Sequence, residues 1–339
     1  MRKSPMPHLI RPLRYARLGL WGVVIGLAGL LGLPPAARAA ASHTSFSPSP
    51  TDDETYGESF TIISELNDHT YLLFQFLFSN AGMGDRKAAC RLMLRPHTGS
   101  LEQYGIRFEE EDWRYVAVEN RLQVGDCSLS GDATGTKFHI RLDGIEATLR
   151  MKAPARSVEP VPTVKGKWGF YGQDVLTPWA KTSVTLQKQG QKAWTRHGWG
   201  YFDHTRSEAL LPKVASNWVR FRGFYEGIPL VLQARFAPDG TLGDAWMWRQ
   251  DAPRPERIVE AKRLHADTPT WELKSAKHTL RVQTGPLLYV YEPTKSYGLL
   301  GRLARPFVGN PKTHTYRAVM QSDSLGSVRG TVEWSQIER

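Results

Sequence analysis

The sequence predicts an all-β chain made of two consecutive antiparallel barrels with few short helices. Short strand-like runs recur along the chain, and turn residues separate them, with 30 glycines and 22 prolines among 339 residues. The length left after an N-terminal leader is close to the limit for one hydrophobic core, so two units are expected. A content of 41% hydrophobic and 23% charged residues excludes collagen-like, coiled-coil and wholly disordered chains.

The elements follow in order. Arg2, Lys3, Arg11, Arg14 and Arg17 precede an apolar run from Leu18 to Leu33, then Pro34, Pro35 and the small-x-small stretch Ala37-Arg38-Ala39. This predicts a cleaved bacterial secretory signal over residues 1–39, and hence a periplasmic or secreted protein. Removing it subtracts six basic side chains and lowers the net charge from +11 to +5, which argues against a nucleic-acid partner. Residues 40–58, rich in Ser, Thr, Pro and acidic groups, read as a flexible leader.

From Phe60 the runs FTIISEL, YLLFQFLFSN, KAACRLMLR, RYVAVEN, RLQVGDCSLSG, TKFHIRLDG and IEATLRMKA predict a first antiparallel meander. Lys137, His139 and Arg141 alternate with Phe138, Ile140 and Leu142, one wet face against one apolar. Cys90 and Cys127 both lie in strand text, and an oxidising compartment would permit a bridge. A Pro-rich linker (153–164) and an aromatic-dense middle follow. A second series then opens at NWVRFRGFYEG and ends at SVRGTVEWSQI. The first barrel is assigned residues 59–206 and the second 207–339. The best helix candidate is Tyr297 to Ala304, and the amphipathic stretch 295–312 could cap a cavity or touch a membrane surface.

The densest constellation is WTRHGWGYFDHTRS (194–207). If extended, it places Trp199, Tyr201 and Asp203 on one face and Gly198, Gly200, Phe202 and His204 on the other. A buried carboxylic acid among aromatic rings could protonate an alkene or orient a polar headgroup; a buried Asp-His pair serving only structure is the alternative. Trp218, Arg220 and Arg222 alternate on a second strand, where the arginines either anchor an anion or form a solvated face. Trp246 and Trp248 alternate on a third and could line a barrel wall. His197, Asp203 and His204 match no standard zinc spacing, so neither a metal nor another cofactor is expected. No Rossmann fingerprint, P-loop or serine-nucleophile elbow is present, so nucleotide chemistry and serine hydrolysis have no support.

Gly198, Gly200, Tyr201 and Asp203, then Trp218, then Gly326, Gly330 and Glu333 together resemble the AttH, carotenoid hydratase and survival-factor group of tandem lipocalin-like proteins. The resemblance implies two calycin-type barrels binding a hydrophobic molecule, with water addition to an isoprenoid double bond in the hydratase branch. The chain departs from that branch: it reads Asp203-His204-Thr205-Arg206-Ser207 where a tryptophan would replace Arg206, and Gln233 stands in the region of the hydratase's acidic and aromatic pair. The Asp-His-Thr-Arg-Ser form is closer to the survival-factor branch, whose members look like lipid carriers.

The expectation is an exported carrier of a lipid or isoprenoid-like ligand held at the barrel junction. Trp199, Tyr201, Asp203, His204, Arg206, Trp218, Arg220, Arg222, Trp246 and Trp248 are the candidate ligand-binding residues. The competing class is an acid-catalysed hydratase or isomerase of a terpenoid, using Asp203, His204 and Tyr201. A third is a ligand-free structural or interaction protein.

Overall fold

The computed structural model describes residues 44–80, 85–158, 163–225, 229–250, 252, 254–265, 269–292 and 310–338. The expected export signal, the helix expected over Tyr297 to Ala304 and all of the 295–312 segment except Asn310, Pro311 and Lys312 lie outside them.

Twelve strands make one antiparallel sheet: β1 (Tyr56–Leu66), β2 (Tyr71–Ser79), β3 (Lys87–Arg95), β4 (Glu102–Phe108), β5 (Trp113–Val116), β6 (Arg121–Val124), β7 (Cys127–Gly131), β8 (Thr136–Leu142), β9 (Ile145–Met151), β10 (Val164–Gly166), β11 (Gly169–Lys188) and β12 (Trp194–Glu208). The path runs β4-β3-β2-β1-β12-β11-β9-β8-β7-β6-β5, with the short β10 appended to β11. A late strand therefore pairs with the first, Ile62 opposite Phe202, and the sheet rolls into a nearly closed barrel. Side chains close the seam that backbone pairing leaves. Phe78 meets the Trp113 ring edge-on at 5.0 Å, and Lys188 pairs with Glu102 at 2.7 Å. The sequence reading missed β4, although Tyr104, Ile106 and Phe108 alternate there with Gln103, Gly105 and Arg107.

After the four-residue helix α1 (Leu211–Val214), eight strands form a closed barrel: β13 (Asn217–Tyr225), β14 (Leu230–Phe236), β15 (Leu242–Arg249), β16 (Glu256–His265), β17 (Thr270–Ser275), β18 (Thr279–Tyr291), β19 (Asn310–Ser322) and β20 (Gly326–Glu338). Pairing of β13 with both β14 and β20 removes the free edges. The runs HTLRVQT and LLYVYE, which Gly285 and Pro286 seem to divide in sequence, belong to the single strand β18. Its register with β19 shifts there instead of the chain turning back.

Both interiors are filled by the chain's own side chains. In the first barrel Phe60, Phe74, Phe76, Phe138 and Phe202 interlock, with Phe138 and Phe202 edge to face at 5.3 Å. Phe46, from the stretch read as leader, is wholly buried among them, 5.8 Å from Phe202. Its N–H donates to Asn120 Oδ1 at 3.1 Å, so this part of the leader is anchored in the core. The second interior is built around Val219, Phe221, Met247, Trp271, Val332 and Trp334.

Cys90 on β3 and Cys127 on β7 are joined by a disulfide across the first barrel's interior. They are 37 residues apart in the chain, so loop-closure entropy makes the bridge worth roughly 3 to 4 kcal/mol. Replacing both by alanine should lower stability in urea denaturation by about that amount.

The glycines of the 194–207 segment make room for neighbouring strands. A Cβ on Gly198 would lie 2.2 Å from the Glu65 carbonyl oxygen, and one on Gly200 would lie 2.6 Å from Thr182 Cγ2. Because a backbone carbonyl cannot step aside, Gly198→Ala should cost about 1 to 3 kcal/mol, read from the denaturation midpoint.

Candidate functional site

Strand alternation decides the site. On β1, β2, β3 and β12 every second side chain enters the first barrel, so the residues between them face outward. Many of these outward residues are withdrawn from solvent where outer faces of the second barrel cover them, although Thr195 and His197 at the start of β12 stay exposed. Ile63, Tyr71, Leu73, Met93, Val175 and Tyr201 pack there against Val231, Trp246, Leu288 and Tyr289 in a third apolar cluster. Arg317 on β19 reaches Glu65 on β1 at 3.0 Å and ties the barrels at one end of this contact.

Within the contact lies a cavity of about 290 Å³. Its wall includes Thr61, Leu73, Gln75, Arg91, Met93 and Asp203 from the first barrel and Trp218, Arg220, Arg222, Tyr289 and Glu333 from the second. Asp203, Arg222 and Glu333 are all buried. Arg222 Nη2 lies 3.6 Å from Asp203 Oδ2, and its Nη1 lies 3.0 Å from Glu333 Oε2 without hydrogen-bond alignment. Its guanidinium sits over the Tyr201 ring at 4.5 Å. Gln173 Nε2 donates to Asp203 Oδ2 at 2.9 Å, and the Tyr201 hydroxyl lies beside the same carboxylate.

This environment sets the charges. Burial pushes the Asp203 carboxyl above its ordinary range, and Arg222 and Arg220 only partly pull it back. Burial alone would ease the proton off Arg222, but Glu333, Tyr201 and Asp203 more than reverse this and hold it charged. Tyr289, also buried at the cavity wall, is pushed up to about 12.

The structure brings together Asp203, Trp218, Arg220 and Arg222 on the cavity wall, with Tyr201 immediately behind. It separates the others. His204 and Arg206 lie on the opposite face of β12 from Asp203, as alternation requires, so they cannot join it in orienting one polar end. His204 stacks on Phe60 at 4.3 Å and bonds Glu58 Oε1 at 2.6 Å, while Arg206 pairs with Glu208 at 3.4 Å. Burial pushes Glu58 up, but its bond and charge interaction with His204, and the Tyr56 hydroxyl, bring it below the usual carboxylate range.

Trp246 faces out of the second barrel into the contact between the barrels and does not line a barrel interior. Trp199 stacks on Trp179 at 4.3 Å, and Trp179 and Trp248 line a separate open groove with Lys152 and Lys181. The arginines of β13 point outward, yet they are covered by the first barrel and do not form a solvated face.

Sequence reasoning did not propose Gln173, Tyr171, Arg91 or Tyr289, and it named Glu333 only within the motif that carries the family resemblance, not as a site residue. Glu333 carried a signal: in SVRGTVEWSQI it alternates with Val332 and Trp334, a carboxylate on the strand face that carries Thr331 and Ser335. Gln173 and Tyr289 carried none, because each reaches the site only through the pairing of distant strands.

No protein-family model matches the chain, and no curated protein matches it by sequence. Solved structures do share its architecture. A Nitrosomonas europaea protein assigned as AttH superposes with a TM-score of 0.56 at 13% identity, covering 86% of this chain and 95% of that one. CghA with Sch210972 gives 0.57 at 11% identity, over 89% and 96% of the two chains. Kievitone hydratase from Nectria haematococca gives 0.55 at 13% identity, over 89% and 94%. At such identities the likeness is one of fold: this chain has the tandem lipocalin-like architecture of AttH and kievitone hydratase.

The raised carboxyl has a consequence for stability. An acid whose folded pKa lies above its unfolded value penalises the fold once it ionises, so this cost is absent at low pH and grows as pH rises from about 4 through the folded pKa. Asp203→Asn keeps the hydrogen-bond acceptor for Gln173 and Tyr201 and removes the charge. It should raise the denaturation midpoint at pH 7 relative to the parent and leave it nearly unchanged at pH 3.

Proposed function

We propose that this protein binds a small organic molecule with an apolar body and a polar end in the cavity between its two barrels, in the exported compartment that the N-terminal segment suggests. The observation that carries the reading is the placement of Asp203, Arg222 and Glu333, three charged groups buried together, on the wall of a hollow whose other lining includes Leu73, Met93 and Ile337. Burying charge costs several kcal/mol per ion, and a purely mechanical contact between barrels would be at least as stable with apolar residues there. A volume of about 290 Å³ falls at the small end of ligand pockets. It suits a compact molecule, or one end of a longer isoprenoid, better than an enclosed long chain.

Native mass spectrometry of the gently purified protein should show a bound small molecule. An empty chain from several hosts would count decisively against this reading.

One observation favours a second reading, acid catalysis. Asp203 lines the cavity with a pKa raised by burial, which equips it to hold a proton near an apolar guest. Kievitone hydratase shares the fold, and in this reading Asp203 would protonate an alkene carbon before water adds. Asp203→Asn separates the two. If it abolishes turnover by at least about 100-fold while retention of the copurified molecule is unchanged, Asp203 is the acid. If retention falls instead, it holds the ligand's polar end.

A further inference from the structure

Within the same cavity Arg222 and Arg220 are served differently. Arg222 has both buried carboxylates, Asp203 and Glu333. Arg220, two residues earlier on the same face of β13, has no described carboxylate at ion-pair distance. Its Nη2 donates to the Tyr171 hydroxyl, and its Nε is buried without a partner. Trp218, two residues earlier again, is only 5% exposed, lines the same hollow, and leaves its indole Nε1 without a partner. Arg91, also on the wall, is stacked on the Tyr291 ring at 4.3 Å and donates to Gln103 at 3.2 Å.

The cavity thus presents three arginines against two carboxylates, with N–H donors of Trp218 and Arg220 unused on one strand face. A half-buried guanidinium with no described carboxylate at ion-pair distance and a buried indole without an acceptor are both costly, and a ligand that supplies one negative charge and two acceptor oxygens relieves both. A carboxylate does this. A phosphate dianion would overshoot the single unmatched charge.

We propose that Arg220 and the Trp218 indole bind the carboxylate of the ligand, whose apolar remainder lies along Leu73, Met93, Leu211 and Ile337. The ligand class is then a small amphipathic carboxylic acid. This rests on the junction cavity being a ligand site and narrows what it takes. Arg222, already engaged by Asp203 and Glu333, is the structural ion of the pair, and Arg220 is the recognition ion.

The test uses the full chain and matched probes at pH 7.5: octanoate against octanamide, cinnamate against cinnamamide, and inorganic phosphate, titrated by tryptophan fluorescence and calorimetry. The acids should bind at least tenfold more tightly than their amides, and phosphate should not compete. Arg220→Gln should bring each acid to within about twofold of its amide, and Trp218→Phe should narrow the acid-to-amide ratio by less. Equal binding of acid and amide by the parent chain, an acid preference that survives Arg220→Gln, or stronger competition by phosphate would each overturn the carboxylate site and leave the cavity reading standing. Binding of none of the organic probes would overturn both. Should Arg220→Gln fail to fold, the acid-to-amide ratio of the parent chain and its loss in Arg220→Lys, which keeps the charge but not the planar fork, decide the matter.

Discussion

The architecture depends on a buried cation that two barrels share. Arg222 comes from the first strand of the second barrel. It meets Glu333 from the last strand of that barrel and Asp203 from the strand that pairs with β1 in the first barrel. Taken out of water, each of the three would be costly to bury alone. The guanidinium makes Glu333 tolerable and partly offsets the desolvation of Asp203, while the carboxylates keep the arginine charged. Removing the arginine would leave two buried carboxylates facing one cavity. The ion cluster therefore couples the docking of the barrels to the electrostatics of the hollow between them.

The described interiors of both barrels are filled by apolar side chains. The interlocked phenylalanines of the first, with Phe46 drawn in from the leader, and the Trp271 and Trp334 pair of the second occupy the space in which a barrel would hold a guest. Space for a ligand is found between the units, where two convex outer faces meet and cannot match everywhere. Docking one packed barrel on the other thus makes a hollow that neither has by itself. The first barrel contributes Asp203 and Gln173, and the second contributes Trp218, Arg220, Arg222 and Glu333.

Much of this was legible in residue order. The alternation of GWGYFDH separated Asp203 from His204 before any coordinates, and the structure puts them on opposite faces, Asp203 on the cavity and His204 against Phe60. The error was to group them afterwards as one polar clamp, because nearness in sequence on a strand means opposition in space. The arginines of β13 were placed correctly on one face, but period-two reasoning knows only inside and outside. It has no third category for an outside covered by another barrel. Trp246 was misread for the same reason. Glu333 was visible as a polar residue alternating with Val332 and Trp334, yet nothing local says that a strand more than a hundred residues away will carry its partner.

What the sequence by itself determined is the class of structure and the face on which each side chain lies, since strand period, turn chemistry and apolar alternation are local properties of the backbone. Tertiary structure alone decided which outward faces would be buried against each other. Closing the sheets sets strand order, strand order sets which faces dock, and docking withdraws Asp203, Arg222 and Glu333 from water. Their charges acquire meaning only when that solvent is gone.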